Sequence, residues 1–216
     1  MADFLMLKSH LGTCTQSMEI NNLSLLMESL CYVCTQQPDQ ASIKTALGDI
    51  CSSAVQMLSV NDPQAIQAAD KSHLLKAVVM LAGAVKALQG LDANALAQIL
   101  LPMVESVCGT LVTIYQVRFN DQDLILSCCT FMQKTIKVLA SSMVSLEFFS
   151  TLADSLVFCF KSNSANICCM QTFAYMCGQM GKESDAIKAV AVQKFDVVSE
   201  LILQHLARQA QQLGAA

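Results

Sequence analysis

The sequence predicts an all-α protein, a right-handed α-solenoid of stacked helical hairpins, and three observations predict it. Apolar residues recur at helical spacing: Leu74, Val78, Leu81, Val85 and Leu88 step by four and three along one face. Leu96, Leu100, Met103, Val107, Leu111 and Ile114 repeat that spacing directly downstream. Such stripes arrive in pairs about every 40–50 residues, the period of repeats that bury their apolar faces only by stacking on one another. No segment alternates with a period of two for long enough to read as a strand.

The elements follow from the punctuation between stripes. Residues 3–15 read as the second helix of a broken pair. The stripe at 20–35 ends at Gln36–Asp39, and Asp39 is placed to cap a helix running through Met57. Asn61, Asp62 and Pro63 open the longest linker, which runs to about residue 71. Gly90 closes the next helix and Asp92 caps its successor, the expected order of glycine after and aspartate before. Pro102 falls inside that successor and should kink it or cost it a hydrogen bond. Asn120–Asp121 begins a helix through Leu139, and Ser141–Ser142 breaks it. Ser162–Ser164 separates the next two helices, and Gly181 with Ser184–Asp185 precedes the last. Four hairpins result, at 20–60, 71–117, 121–160 and 163–208, forming with the half repeat a single segment over 1–216.

Composition narrows the function. Hydrophobic residues are 54% of the chain and charged residues 14%, where an ordinary domain carries about 25%. A membrane span needs about 18–20 consecutive apolar residues. Lys76, Lys86, Glu105 and Arg118 interrupt the candidates, so membrane insertion is not expected and a piece of a longer solenoid is. The opening residues, with an acid at position 3 and a short apolar run, do not read as a secretory signal. The eleven cysteines are accordingly read as reduced, most of them small hydrophobes inside helical stripes. A net charge of −4 argues against nucleic acid, which attracts basic surfaces, and for a basic protein partner.

Motifs for chemistry are scarce. Cys31-x-x-Cys34 lies near a helix C-terminus, whereas a reactive dithiol needs the N-terminal end of the dipole. The adjacent pairs Cys128–Cys129 and Cys168–Cys169 point about 100° apart on a helix, which argues against joint metal ligation. His10, His73 and His205 lie far apart in the sequence, which argues against a shared zinc site. No nucleophile elbow or phosphate loop occurs. Neither an enzyme, a metal site nor a cofactor is expected. One distribution does stand out: the second helix of each hairpin carries an acid opposite its apolar stripe, namely Asp49, Glu105, Asp154 and Glu200. If those helices lie side by side, the four acids are candidate contacts for a basic protein.

Two runs carry a resemblance: INNLSLLMESLCYVCTQQPDQASIKTALGDICSSAVQML and QILLPMVESVCGTLVTIYQVRFNDQDLILSCCTFMQKTIKVL. The first is a hairpin with a short proline-containing turn and a Leu/Ile-Cys ending. The second pairs a Leu-Pro-x-Val helix with a Cys-Cys helix across a polar loop. They resemble the importin-β (karyopherin-β) superfamily of HEAT-repeat transport receptors, most of all its transportin-SR branch. The resemblance implies HEAT-like hairpins whose second helices line a concave surface for protein cargo. It implies transport through the nuclear pore under control of the small GTPase Ran, between cytoplasm and nucleus, with nucleoporins as further partners. It also implies that this chain is a central portion, with Ran bound by N-terminal repeats outside it. The alternative is a generic HEAT or armadillo-like scaffold that binds a protein partner and has no transport role.

Overall fold

In the computed structural model, residues 17–143 and 145–214 are described; the half repeat expected at 3–15 lies outside them. The described residues are helical with no strand. Helix α1 (Ile20–Cys34) buries Leu23, Met27, Cys31 and Cys34, one face at steps of four, four and three. Helix α2 (Gln40–Met57) begins at Asp39, whose carboxylate accepts from the Ser42 N–H at 2.9 Å as its spacing predicts. The linker after it is not plain loop. Asp62 accepts from the Gln64 N–H at 3.1 Å and Pro63 takes the first helical position, so Pro63–Ala68 forms a short helix, α3, that buries Ile66.

Helix α4 (Lys71–Ala87) starts at Asp70, which accepts from the Ser72 N–H at 2.6 Å, and ends in a 3-10 turn at Leu88–Gly90. Helix α5 (Ala93–Val117) is capped by Asp92, which accepts from both Asn94 and Ala95. It continues past Pro102, which lies exposed inside it. Helix α6 (Gln122–Leu139) follows a corner in which Asp121 makes no cap but pairs with Arg118. Helices α7 (Leu146–Ser162), α8 (Ile167–Met180) and α9 (Asp185–Gly214) complete the described chain, and α9 extends further than the expected 208.

These helices pack in two rows. In the first, α1 packs on α4, α4 on α6, and α6 on α8; in the second, α2 packs on α5, α5 on α7, and α7 on α9, with α3 against α5. Besides α1 on α2 and α8 on α9 within the expected hairpins, α2 packs on α4, α5 on α6 and α7 on α8. Each of the latter contacts crosses one of the hairpin boundaries drawn from sequence, at 60–71, 117–121 and 160–163. One core therefore runs without a break from Leu23 to Val198.

Cross-helix ties repeat along the rows. Lys86 pairs with Glu28 at 2.8 Å and Lys71 with Asp123 at 3.1 Å, joining α4 to α1 and α6. Gln40 donates to Gln98 at 2.8 Å between α2 and α5, and Gln133 to Thr172 at 2.8 Å between α6 and α8. Such exposed ion pairs contribute at most about 1 kcal/mol each. The apolar surface is what binds the rows. The stretch Lys71–Gly90 and helix α5 are long and apolar enough to cross a bilayer by length and composition, but within the apolar 18-residue window of each, 67% is buried in this core for the first and 39% for the second.

Close approach of α4 to α1 sets a strict condition at Gly83. A Cβ there would sit 2.8 Å from the Ser24 carbonyl oxygen and 3.2 Å from Met27 Cβ, so backbone would have to move. Gly83→Ala is expected to lower stability by about 1–3 kcal/mol, although alanine is the better helix former by about 1 kcal/mol. Gly48→Ala, where nothing lies within 4 Å, should instead stabilise by about 0.5–1 kcal/mol. Urea unfolding of both variants checks the pair, and a stabilised Gly83→Ala would refute the tight crossing. Leu111, 1% exposed, should cost about 2–5 kcal/mol on truncation to alanine.

Candidate functional site

The four sequence-predicted acids stand on successive helices of the second row: Asp49 on α2, Glu105 on α5, Asp154 on α7 and Glu200 on α9. All four are exposed. Their surroundings differ. Glu105 lines a hollow of about 300 Å³ between α5 and the start of α7, with Cys108, Ser145 and Phe148. Asp154 lies on the other flank of α7, where Lys194 of α9 donates to it. Its charge is thus already matched by a neighbouring helix, which the helical wheel of α7 alone could not show. Glu200 accepts from Gln204 at 3.1 Å within its own helix.

An apolar groove that sequence reasoning missed lies at the far end of the rows. It holds about 1020 Å³ between α8 and α9, lined by Met170, Phe173, Cys177, Phe195 and Ile202, with Lys188 and Asp196 as polar members. Helix α9 buries Ile187 and Val198, yet Val192, Phe195 and Leu203 are each more than 60% exposed. The signal was present in the sequence: apolar residues fall on more than one face of α9, more than a single packing stripe requires. Contiguous exposed apolar surface of this kind is uncommon on a folded chain.

A second constellation assembles from α5, α6, α7 and α8. Cys168 and Cys169 occupy the second and third positions of α8, and Cys129 approaches from α6. The sulfurs of Cys129, Cys168 and Cys169 all lie within 4.8 Å of one another, with 3.9 Å between Cys129 and Cys169. Cys159 of α7 also reaches the Cys169 thiol, and Cys128 lies close by. Cys168 and Cys169, which the sequence reading set about 100° apart on a helix and so against joint ligation of a metal, bring their sulfurs within 4.8 Å of each other here. Angular separation around a helix matters little when neighbouring Cα atoms are only 3.8 Å apart and the third thiol comes from another helix.

Polar groups aim at these sulfurs. The Tyr115 hydroxyl, fully buried, donates to Cys129 Sγ at 3.8 Å. Asn166 Nδ2 donates to Cys159 Sγ at 3.3 Å and to the Phe119 carbonyl at 2.8 Å. Cys168 is held below the usual thiol range: the thiols of Cys129 and Cys169 donate to its sulfur, and the first N–H groups of α8 point the same way. Cys129 and Cys169 are pushed up in return. Cys31 and Cys34 behave differently. Both are fully buried at the end of α1, and burial, with Cys51 beside it, pushes Cys34 up to about 11.

Partly exposed cysteines should therefore react unequally. Cys108 is pushed up to about 12 by burial and by Glu105, and Cys177 to about 11 by burial, whereas Cys168 moves the other way. Brief iodoacetamide treatment of the reduced, metal-free chain near neutral pH is expected to label Cys168 at least about tenfold faster than Cys108 or Cys177, because the thiolate is the nucleophile. Peptide mass spectrometry reads the order, and equal labelling of the three would remove the thiolate assignment.

In comparisons with known proteins, no family model, no curated protein and no solved structure matches this chain.

Proposed function

We propose that this chain is a protein-binding segment of a right-handed α-solenoid of HEAT-like hairpins. In its specific form, implied by the resemblance of residues 20–58 and 98–139, it belongs to a karyopherin-β-like receptor that carries protein cargo between cytoplasm and nucleus under Ran control. The observation that carries the protein-binding reading is the exposed second row. Helices α2, α5, α7 and α9 pack one on the next, each presents an acid to solvent, and the row ends in the apolar α8–α9 groove. Acids spread over a continuous surface attract a basic partner at long range. A groove rimmed by charge and floored by Met170 and Phe173 suits the apolar stripe of a partner helix. A globular catalyst would need polar groups converging on an enclosed pocket, and the acids here are spread along a surface instead.

The test uses a basic, Arg/Ser-rich peptide and its acidic counterpart. Affinity for the basic peptide should fall as salt rises above about 0.1 M, where the Debye length is near 10 Å. Glu105→Lys with Glu200→Lys should weaken that binding and flatten its salt slope without altering the fold, both sites being exposed. Asp154 is left out because Lys194 already holds it. Equal affinity and equal slope for parent and double variant would return these acids to an ordinary solvated role. Binding that depends on the α8–α9 groove but not on the acids would favour the scaffold with no transport role.

A further inference from the structure

We propose that Cys129, Cys168 and Cys169, with Cys159 as fourth ligand, form a thiolate site for a zinc ion. The warrant is first geometric. Four sulfurs about 2.3 Å from a tetrahedral zinc are about 3.8 Å from one another. Cys129 and Cys169 stand at 3.9 Å, and the three-thiol set is held within 4.8 Å by two separate helices. Cys159 stands outside that 4.8 Å set but reaches the Cys169 thiol, so binding would draw it and the other three sulfurs inward. Carboxylate and imidazole are absent from the set, which selects a soft thiophilic cation over calcium or magnesium.

The surroundings supply the second, independent warrant. Metal-bound thiolates are held by donors in the shell around them. Here Tyr115 OH faces Cys129 Sγ and Asn166 Nδ2 faces Cys159 Sγ, with Asn166 itself anchored on the Phe119 carbonyl. A thiol serving only as a small hydrophobe needs no such donor. Cys129, Cys159 and Cys169 are at most 1% exposed, while Cys168 is partly exposed and gives the ion its way in. Binding exchanges up to four thiol protons, released to solvent, for four sulfur–zinc bonds, with no change of oxidation state. The anionic product is met by the two donors and by the N-terminus of α8. Bound zinc would join α6, α7 and α8, three helices of both rows, at one point. This site is independent of the protein-binding reading.

The experiment titrates the reduced, metal-free chain with Zn²⁺ and, as a spectroscopic probe, with Co²⁺. One equivalent should bind per chain. The cobalt form should show a near-ultraviolet thiolate charge-transfer band with the visible bands of a tetrahedral ion, and zinc X-ray absorption should show sulfur at about 2.3 Å. Cys169→Ser and Cys129→Ser should each weaken binding by more than about 100-fold, since loss of an outer-shell partner alone costs 10–100-fold. Cys177→Ser, a partly exposed thiol outside the set, should leave it unchanged. No stoichiometric uptake, an octahedral cobalt spectrum, or undiminished affinity in Cys169→Ser would overturn the proposal. Should a serine variant fail to fold, the parent's cobalt spectrum decides alone.

Discussion

The structure depends on a single constraint, the burial of α4. Ten of its seventeen residues are buried, from Leu74 to Val85, and they are not confined to one stripe. A helix so apolar must be covered on several sides at once. Helix α1 covers one side, α2 another and α6 a third. Because α1 and α6 lie on opposite flanks of α4 in the first row, the same contact that buries α4 begins the row. Gly83 permits the closest of these approaches, with the α1 backbone where a side chain would otherwise be. Once α4 is enclosed, α6 presents its own free flank to α8, and the pattern repeats.

Polar satisfaction then sets the corners. Arg118, whose side chain is only 10% exposed, sends one guanidinium nitrogen to the carbonyls of Ile66, Gln67 and Ala69 at 2.9–3.1 Å and its Nε to Asp121. Those carbonyls end α3, where a helix leaves acceptors without partners and favours positive charge. One side chain thus completes the short helix and fixes the α5–α6 corner upon it. The next corner is tied back in the same manner. Asn163 and Asn166 both donate to the Phe119 carbonyl, at 3.3 and 2.8 Å, so the turn before α8 is seated on the turn before α6. The thiol cluster sits beside this second tie and shares Asn166 with it.

The two rows differ in what they leave uncovered. In the first row α4 is enclosed by α1, α2 and α6, while α1 leaves Leu25, Tyr32 and Val33 exposed. In the second row Asp49, Glu105, Asp154 and Glu200 are each exposed. Lateral pairing uses some of this charge: Lys194 of α9 binds Asp154 of α7. What is left is uneven, with acid at Glu105 and Glu200 and apolar surface on α9. On the protein-binding reading proposed above, that mixture would be met by a partner recognised partly by charge and partly by an apolar stripe.

Much of this was legible in the residues themselves. Stripes such as Leu23, Met27 and Cys31 report helices because their spacing matches the helical period. Asp39 and Asp92 report helix starts because a short oxygen-bearing side chain can reach the free N–H groups of a first turn. Local geometry also foretold that the four acids would face water. It misjudged Asp62–Pro63, a helix start read as linker, although the capping signal was there. What periodicity could not tell was the partner of each face. A stripe says that a helix must be covered but not by which helix, so the packing of α5 on α6 and α7 on α8 is a tertiary result. Cys129, Cys159 and Cys169 lie 10 to 40 residues apart and meet only because α6, α7 and α8 converge. Asp154 looks free on its own helix and is paired only when α9 is laid beside it. The sequence by itself determined the helices, their caps and their apolar faces, since these depend on neighbours within one or two turns. The tertiary structure alone decided which faces meet, and with them the groove and the thiol site, because those contacts join residues that only packing brings together.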